Sequence, residues 1–212
     1  MNRIRVRHAV ASATAMAIAG LSLLAAQAAP AAAAQVGSGG AMTAATAAGG
    51  RHCVAHASGP QELACYASFA EALEKASGGR LTNGPKNGGD AMRDPGFAAR
   101  VNAANDEANH VNAAAGYDTV ISIDYTGPQY TGDELIWVGT GNCTTSTGNT
   151  DYQVSSMPAG WVNVVSSHRA YANCWVKHYE NASWGGASVG YYGSRSYIGA
   201  AMDDRTSSER WS

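Results

Sequence analysis

Charge is scarce in this 212-residue chain: Asp, Glu, Lys and Arg make up 14% of it, against about a quarter in an ordinary soluble domain. No run of Lys or Arg supplies the basic stripe that a phosphate backbone needs, which argues against nucleic acid as a partner. Beyond the first thirty-odd residues there is no apolar run of the ~20 residues that would span a membrane. Zinc-protease and P-loop motifs are missing (H-E-x-x-H, G-x-x-x-x-G-K-[ST]), and the one G-x-S-x-G match, Gly186-Ala-Ser188-Val-Gly190, lies in a Gly-rich aromatic run with no helical pattern after it, unlike a nucleophile elbow. No CxxC spacing gathers the cysteines for zinc, and the one HxxxH, His52 to His56, has no second pair beside it in sequence. Asp203-Asp204 are neighbours in sequence, whereas glycosidase carboxylates face each other across a cleft. These gaps leave a non-enzymatic reading.

What is present begins with a sorting signal. Arg3, Arg5 and Arg7 are the only charged residues among the first fifty, and a small, Ala-rich apolar stretch succeeds them over 9–26. Ala26-Gln27-Ala28 fits the small-x-small cleavage rule, and Ala32-Ala33-Ala34 offers a second cut. Residues 1–34 are therefore read as a secretory signal peptide of an extracellular protein. Taking those three of the 14 basic residues away leaves 11 against 16 acidic ones, a net charge of −5 in place of −2. Residues 35–50 are mostly Gly, Ala, Ser and Thr without charge, a disordered linker by composition.

Export gives the four cysteines a structural meaning, because an even number outside the cell implies disulfides. Cys53, Cys65, Cys143 and Cys174 allow three pairings. The spacing favours Cys53 with Cys65 and Cys143 with Cys174, but sequence alone does not choose.

Residues 51–116 read as a small, mainly helical segment packed on the C-terminal half of the chain. Ser68-Phe69-Ala70-Glu71 is a capping box, and Gly78-Gly79 can stop that helix. Asp94-Pro95 signals a second start, and Phe97, Val101, Ala104, Ala108 and Val111 form a thin apolar stripe. Residues 117–212 differ. All five tryptophans and nine of the ten tyrosines lie there, in β-branched and aromatic runs broken by glycine, the pattern of an all-β domain.

That domain holds an internal repeat. Tyr125-Thr-Gly-Pro-Gln-Tyr130-Thr-Gly132 and Tyr179-Glu-Asn-Ala-Ser-Trp184-Gly-Gly186 share an aromatic-x4-aromatic-x-Gly pattern. Each has a Ser-Ser pair downstream, Ser166-Ser167 and Ser207-Ser208. Two aromatics can stack across a folded hairpin, a glycine supplies the backbone that a Cβ opposes, and the serines can bond back to the hairpin loop. In these residues the chain resembles the βγ-crystallin family. The resemblance implies a double Greek-key sandwich over about 117–212 and no enzymatic activity.

The resemblance also implies calcium. Microbial members bind it through [N/D]-[N/D]-x-x-[S/T]-S, one motif per key, and Asp203-Asp204-Arg205-Thr206-Ser207-Ser208 matches throughout. Calcium takes six to eight oxygen ligands. The implied ligands are a carboxylate of Asp203 or Asp204, the Arg205 carbonyl, the Ser207 hydroxyl and a corner carbonyl near Glu180 or Thr126, with each loop lending a ligand to the other. In the first key Asn163, Ser166 and Ser167 fit, but Val162 stands where an Asn or Asp belongs, so one competent and one degraded site are expected. His168 reads as an exposed strand residue. A second reading on the same fold is a secreted protease inhibitor or killer-toxin-like protein, acting on an extracellular protein target through the loop 139–150. The expected state is a monomer.

Overall fold

The computed structural model describes residues 50–59, 62–111 and 119–212. The expected leader, and all of the expected linker but Gly50, lie outside them. Among the described residues, regular structure comprises fourteen segments (two of them short 3-10 turns): β1 His52–His56, β2 Leu63–Tyr66, α1 Phe69–Ala76, α2 Gly88–Arg93, α3 Phe97–Val111, β3 Thr119–Gly127, β4 Thr131–Gly139, β5 Tyr152–Val154, β6 Ser167–Ala170, β7 Val176–Asn181, β8 Gly185–Tyr192 and β9 Ser208–Trp211, with the turns Pro128–Tyr130 and Ala182–Trp184 at the two aromatic corners.

Strands assemble into two sheets, β2-β1-β4-β3-β6 and β5-β9-β7-β8. The third strand of the first repeat, β5, crosses to the second sheet and pairs with β9. In return Arg195, at the matching place in the second repeat, bridges to His168 of the first sheet. The inner faces meet in one core, where Leu135, Trp137, Trp161, Val176, Met202 and Trp211 are fully buried.

The segment 51–116 joins this architecture more closely than a helical extension would. Besides three helices it contributes β1 and β2, and β1 pairs in parallel with β4, His52 facing Glu134 and His56 facing Val138. The first sheet is thus covered on both faces. Phe69, Leu73, Phe97 and Val101 pack with Val120, Ile123, Tyr125 and Ile136 into a second core. A strand buried on both faces reads as a continuous apolar run, and Leu135-Ile136-Trp137-Val138 is such a run.

Local signals explain the helices unevenly. Ser68 caps α1 by accepting the Glu71 N–H at 3.2 Å, and Glu71 reaches back to the Ala67 N–H. The start expected at Pro95 falls at Phe97, because the Asp94 carboxylate first closes a turn on the Gly96 N–H at 2.9 Å. Helix α2 carries no apolar period. Asn87 caps it, and Gly88 is there because nothing larger fits: a Cβ would lie 2.3 Å from the Tyr125 ring and from the Tyr130 carbonyl. Gly88→Ala is therefore expected to destabilise by about 1–3 kcal/mol, the usual cost of overpacking. Gly193→Ala, with open space around it, should stay within about 0.5 kcal/mol. Urea denaturation of both variants checks the contrast.

Both cysteine pairs are disulfides, Cys53–Cys65 between β1 and β2 and Cys143–Cys174 between the loop after β4 and the turn before β7. Among the described residues, no helix is long and apolar enough to cross a membrane.

Candidate metal centre

The two repeats build the same corner twice. Gln129 and Tyr130 have positive φ of 56° and 60°, and Ser183 and Trp184 have 54° and 59°. Gly132 and Gly186 come next at 87° and 74°, in the left-handed region that glycine tolerates best. The second serine of each pair ties the corner. Ser167 Oγ donates to the Gly127 carbonyl at 2.6 Å and accepts the Tyr130 N–H at 3.1 Å. Ser208 Oγ donates to the Asn181 carbonyl at 2.6 Å and accepts the Trp184 N–H at 3.0 Å.

The first serine of each pair looks across to the other repeat. The two closing loops are laced by backbone bonds, from the Asn163 N–H to the Thr206 carbonyl at 2.8 Å and from the Asp204 N–H to the Val165 carbonyl at 3.0 Å. Asn163 and Asp204 both take positive φ, 58° and 54°. That lacing turns their side chains toward the opposite serines. Ser166 Oγ lies 3.4 Å from Asp204 Oδ1 and 3.2 Å from the Thr126 carbonyl. Ser207 Oγ donates to Asn163 Oδ1 at 3.0 Å. Four of the seven residues singled out in the sequence therefore sort into two oxygen clusters, Asp204 with Ser166 and Asn163 with Ser207, each drawn from both repeats.

The clusters differ in charge. The first holds the Asp204 carboxylate, the Ser166 hydroxyl and the Thr126 carbonyl. Beside it Asp203 has one buried oxygen, Oδ1, without a hydrogen-bond partner, while Oδ2 accepts from the Tyr197 hydroxyl at 3.3 Å. The second cluster has the neutral Asn163 amide and Ser207, next to Val162, which is 41% exposed. Glu180 is committed elsewhere: its carboxylate accepts the Ala187 N–H and pairs with the Arg205 guanidinium, and these contacts hold it below the usual carboxylate range. The all-oxygen donor set and the partnerless Asp203 oxygen fit a hard cation at the first cluster. The second has less charge to offer.

A second polar group escaped the sequence reading. His168 is fully buried, not exposed, because β6 lies between β3 and the bridging Arg195 and turns His168 into the inter-sheet core. There it meets Asp124, His178 and Glu209, all at 0% exposure. Burial pushes the His168 and His178 imidazoles down to about 3 and about 4, and the Glu209 carboxyl up to about 8; Asp124 is also raised, by burial first and by Glu209 next. The signal was in the repeat: Asp124 and His178 precede the two corner tyrosines, and His168 and Glu209 come directly after the two Ser-Ser pairs. All four are polar at positions where alternation points into a sandwich. A cleft of about 650 Å³ lies away from both groups, over the His52–Glu134 pair.

No protein-family model and no curated protein sequence matches the chain. Among solved structures it is similar to a mutant βγ-crystallin domain from Clostridium beijerinckii, at 16% identity over 43% of this chain and 95% of that one, with a TM-score of 0.34. It is also similar to a βγ-crystallin domain from Flavobacterium johnsoniae, at 24% identity over 44% of this chain and 93% of that one, with a TM-score of 0.32.

Proposed function

We propose that this chain is a secreted, non-enzymatic, βγ-crystallin-like structural or binding protein that takes up calcium at its paired closing loops. The observation that carries the reading is the convergence of Asp204 Oδ1, Ser166 Oγ and the Thr126 carbonyl, drawn from both repeats, within 3.2–3.4 Å of the serine oxygen. Export is supported by the basic and apolar leader and by two disulfides.

The reading makes the two clusters unequal. Asp204 and Ser166 supply the stronger site, with Asp203 adding charge beside it. Asn163 and Ser207 supply the weaker one, where Arg205 competes for Glu180. A ligand that binds only the folded chain adds RT ln(1 + [L]/Kd), about 2.7 kcal/mol at a hundredfold excess over Kd. The melting temperature is therefore expected to climb with calcium and to fall with a chelator. Magnesium should help less, since it holds its water and demands octahedral geometry. Asp204→Ala should remove most of the response, Ser207→Ala a smaller part, and Val162→Asp should enlarge it. A melting temperature flat up to millimolar calcium overturns the proposal.

One observation favours a second reading, in which a protein target such as an extracellular protease is engaged. The loop 144–150 is exposed along its whole length, and Trp175 beside it is 49% exposed. Cys143–Cys174 anchors that loop, and the Asp151 carboxylate accepts from the Thr144 N–H and hydroxyl, each at 3.0 Å. A protease-inhibition assay with and without Trp175→Ala separates the two readings.

A further inference from the structure

Each repeat sends one acid and one imidazole into the inter-sheet core: Asp124 and His168 from the first, His178 and Glu209 from the second. Hydrogen bonding fixes how they are protonated. The Gly193 carbonyl can only accept, so His168 Nε2, 2.6 Å from it, carries a proton. With one ring proton already directed at the Gly193 carbonyl, the uncharged His168 ring has its lone pair on Nδ1, and in that tautomer the 2.9 Å bond is donated by His178 Nε2. The neutral His178 ring is then left with a lone pair on Nδ1. That lone pair faces Glu209 Oε1 at 2.7 Å, with the Thr206 hydroxyl at 3.4 Å.

The space in front of Nδ1 is lined by oxygens, two carboxyls and one hydroxyl. Asp124 Oδ1 and both Glu209 oxygens are fully buried, and apart from one another and His178 Nδ1 no donor of the surrounding protein satisfies them. Asp124 Oδ2 accepts the Trp137 indole N–H at 2.7 Å. One ligand atom each from Asp124, His178 and Glu209 lies within 4.8 Å of the others. Buried carboxyls facing one another need protons or a cation between them. Once both give up their protons, two carboxylates and a neutral imidazole balance a dication.

We propose that Asp124, His178 and Glu209 form an interior site for a divalent transition ion of the zinc class, separate from the surface loops. His168 is a positioning residue: through His178 Nε2 it fixes the tautomer that aims Nδ1 at the ion, the usual outer partner of a metal-bound histidine. One nitrogen and two or three carboxylate oxygens suit zinc better than calcium, which takes oxygen alone. Ligands on tetrahedral zinc at about 2.0–2.1 Å stand roughly 3.3 Å apart. Glu209 must therefore draw back from its present 2.7 Å by about half an ångström. Full burial means that the ion enters as the chain folds and leaves slowly.

The test is refolding. The secreted chain, disulfides intact, is unfolded in guanidinium with a chelator, freed of both, and refolded with or without one equivalent of zinc. The products are then washed with EDTA, analysed for metal and melted. The expected result is one zinc per chain surviving the wash, a melting temperature several degrees above the zinc-free product, and a visible absorption band when cobalt replaces zinc. Glu209→Gln and Asp124→Asn, close in shape, should retain less than a tenth of the zinc. Asp204→Ala should retain all of it, so failure of the calcium reading and failure of this one are told apart. A wild-type chain that refolds to a cooperative melt, holds no zinc and melts at the same temperature in both arms overturns the proposal, leaving protons alone between the carboxyls. Equal zinc retention by Glu209→Gln overturns it too, by placing the ion elsewhere.

Discussion

Trp137→Ala is expected to be the most damaging single substitution in the chain. The indole is fully buried between the sheets, edge-on to Trp211 with centroids 5.2 Å apart. Removing a buried Trp side chain costs about 3–5 kcal/mol in transfer and cavity terms. The same substitution strips Asp124 of its one donor, the indole N–H at 2.7 Å, and an orphaned buried acceptor costs about 1–3 kcal/mol more. Against the ~5–15 kcal/mol that holds an ordinary domain together, the sum approaches the whole. Trp137→Ala should fold poorly at 25 °C, and its urea midpoint should drop farther than that of Gly88→Ala or of any closing-loop variant. Trp137→Phe keeps an aromatic body and loses the donor, so it should fall between wild type and Trp137→Ala. If Trp137→Phe and Trp137→Ala lose equal stability, the indole contributes through its hydrogen bond and not through its volume.

Removing the longer disulfide is the second large effect. Cys143–Cys174 closes a loop of sequence separation 31, and Cys53–Cys65 one of 12. Restriction of the unfolded chain then predicts about 3–4 kcal/mol for the first and about 1 kcal/mol less for the second. Cys143 and Cys174 are buried at 5% and 2% exposure, so Cys143→Ala with Cys174→Ala introduces no new polar group. The melting temperature of this double variant should fall by roughly 10 °C, at ~2–4 °C per kcal/mol for a chain of this size. The bridge also holds the loop 139–150, whose Cys143 N–H donates to the Ala172 carbonyl at 2.9 Å. Limited proteolysis should therefore cut the variant there first. A loss under 1 kcal/mol would show that the loop is closed as tightly by its hydrogen bonds as by the bridge.

Several parts of this structure were readable from residue order, and all are local. The capping box at Ser68 and Glu71 acts over three residues. The two corners are each set within eight residues by an aromatic pair and a glycine, and the Ser-Ser pairs that tie them were visible as a repeat. The spacing of 12 favoured Cys53 with Cys65. Such features depend on backbone conformation and short loops, and the chain carries the residues for them side by side.

Tertiary structure decided the rest, because the deciding contacts lie far apart in sequence. Period-two alternation gives the face on which His168 stands, but not whether that face looks into water or into a second sheet; packing against Asp124, 44 residues earlier, and Glu209, 41 later, made it interior. Alternation likewise could not tell that β1 would add itself beside β4, 82 residues on, through His52 and Glu134, and so cover a sheet on both sides. At the closing loops the motif gave the oxygen-bearing residues, while the lacing of one loop through the other decided that Asp204 meets Ser166, and Asn163 meets Ser207, across distances of 38 and 44 residues. A polar residue in a strand is inexpensive in water and costly inside unless its partners arrive with it, and only the fold brings those partners together.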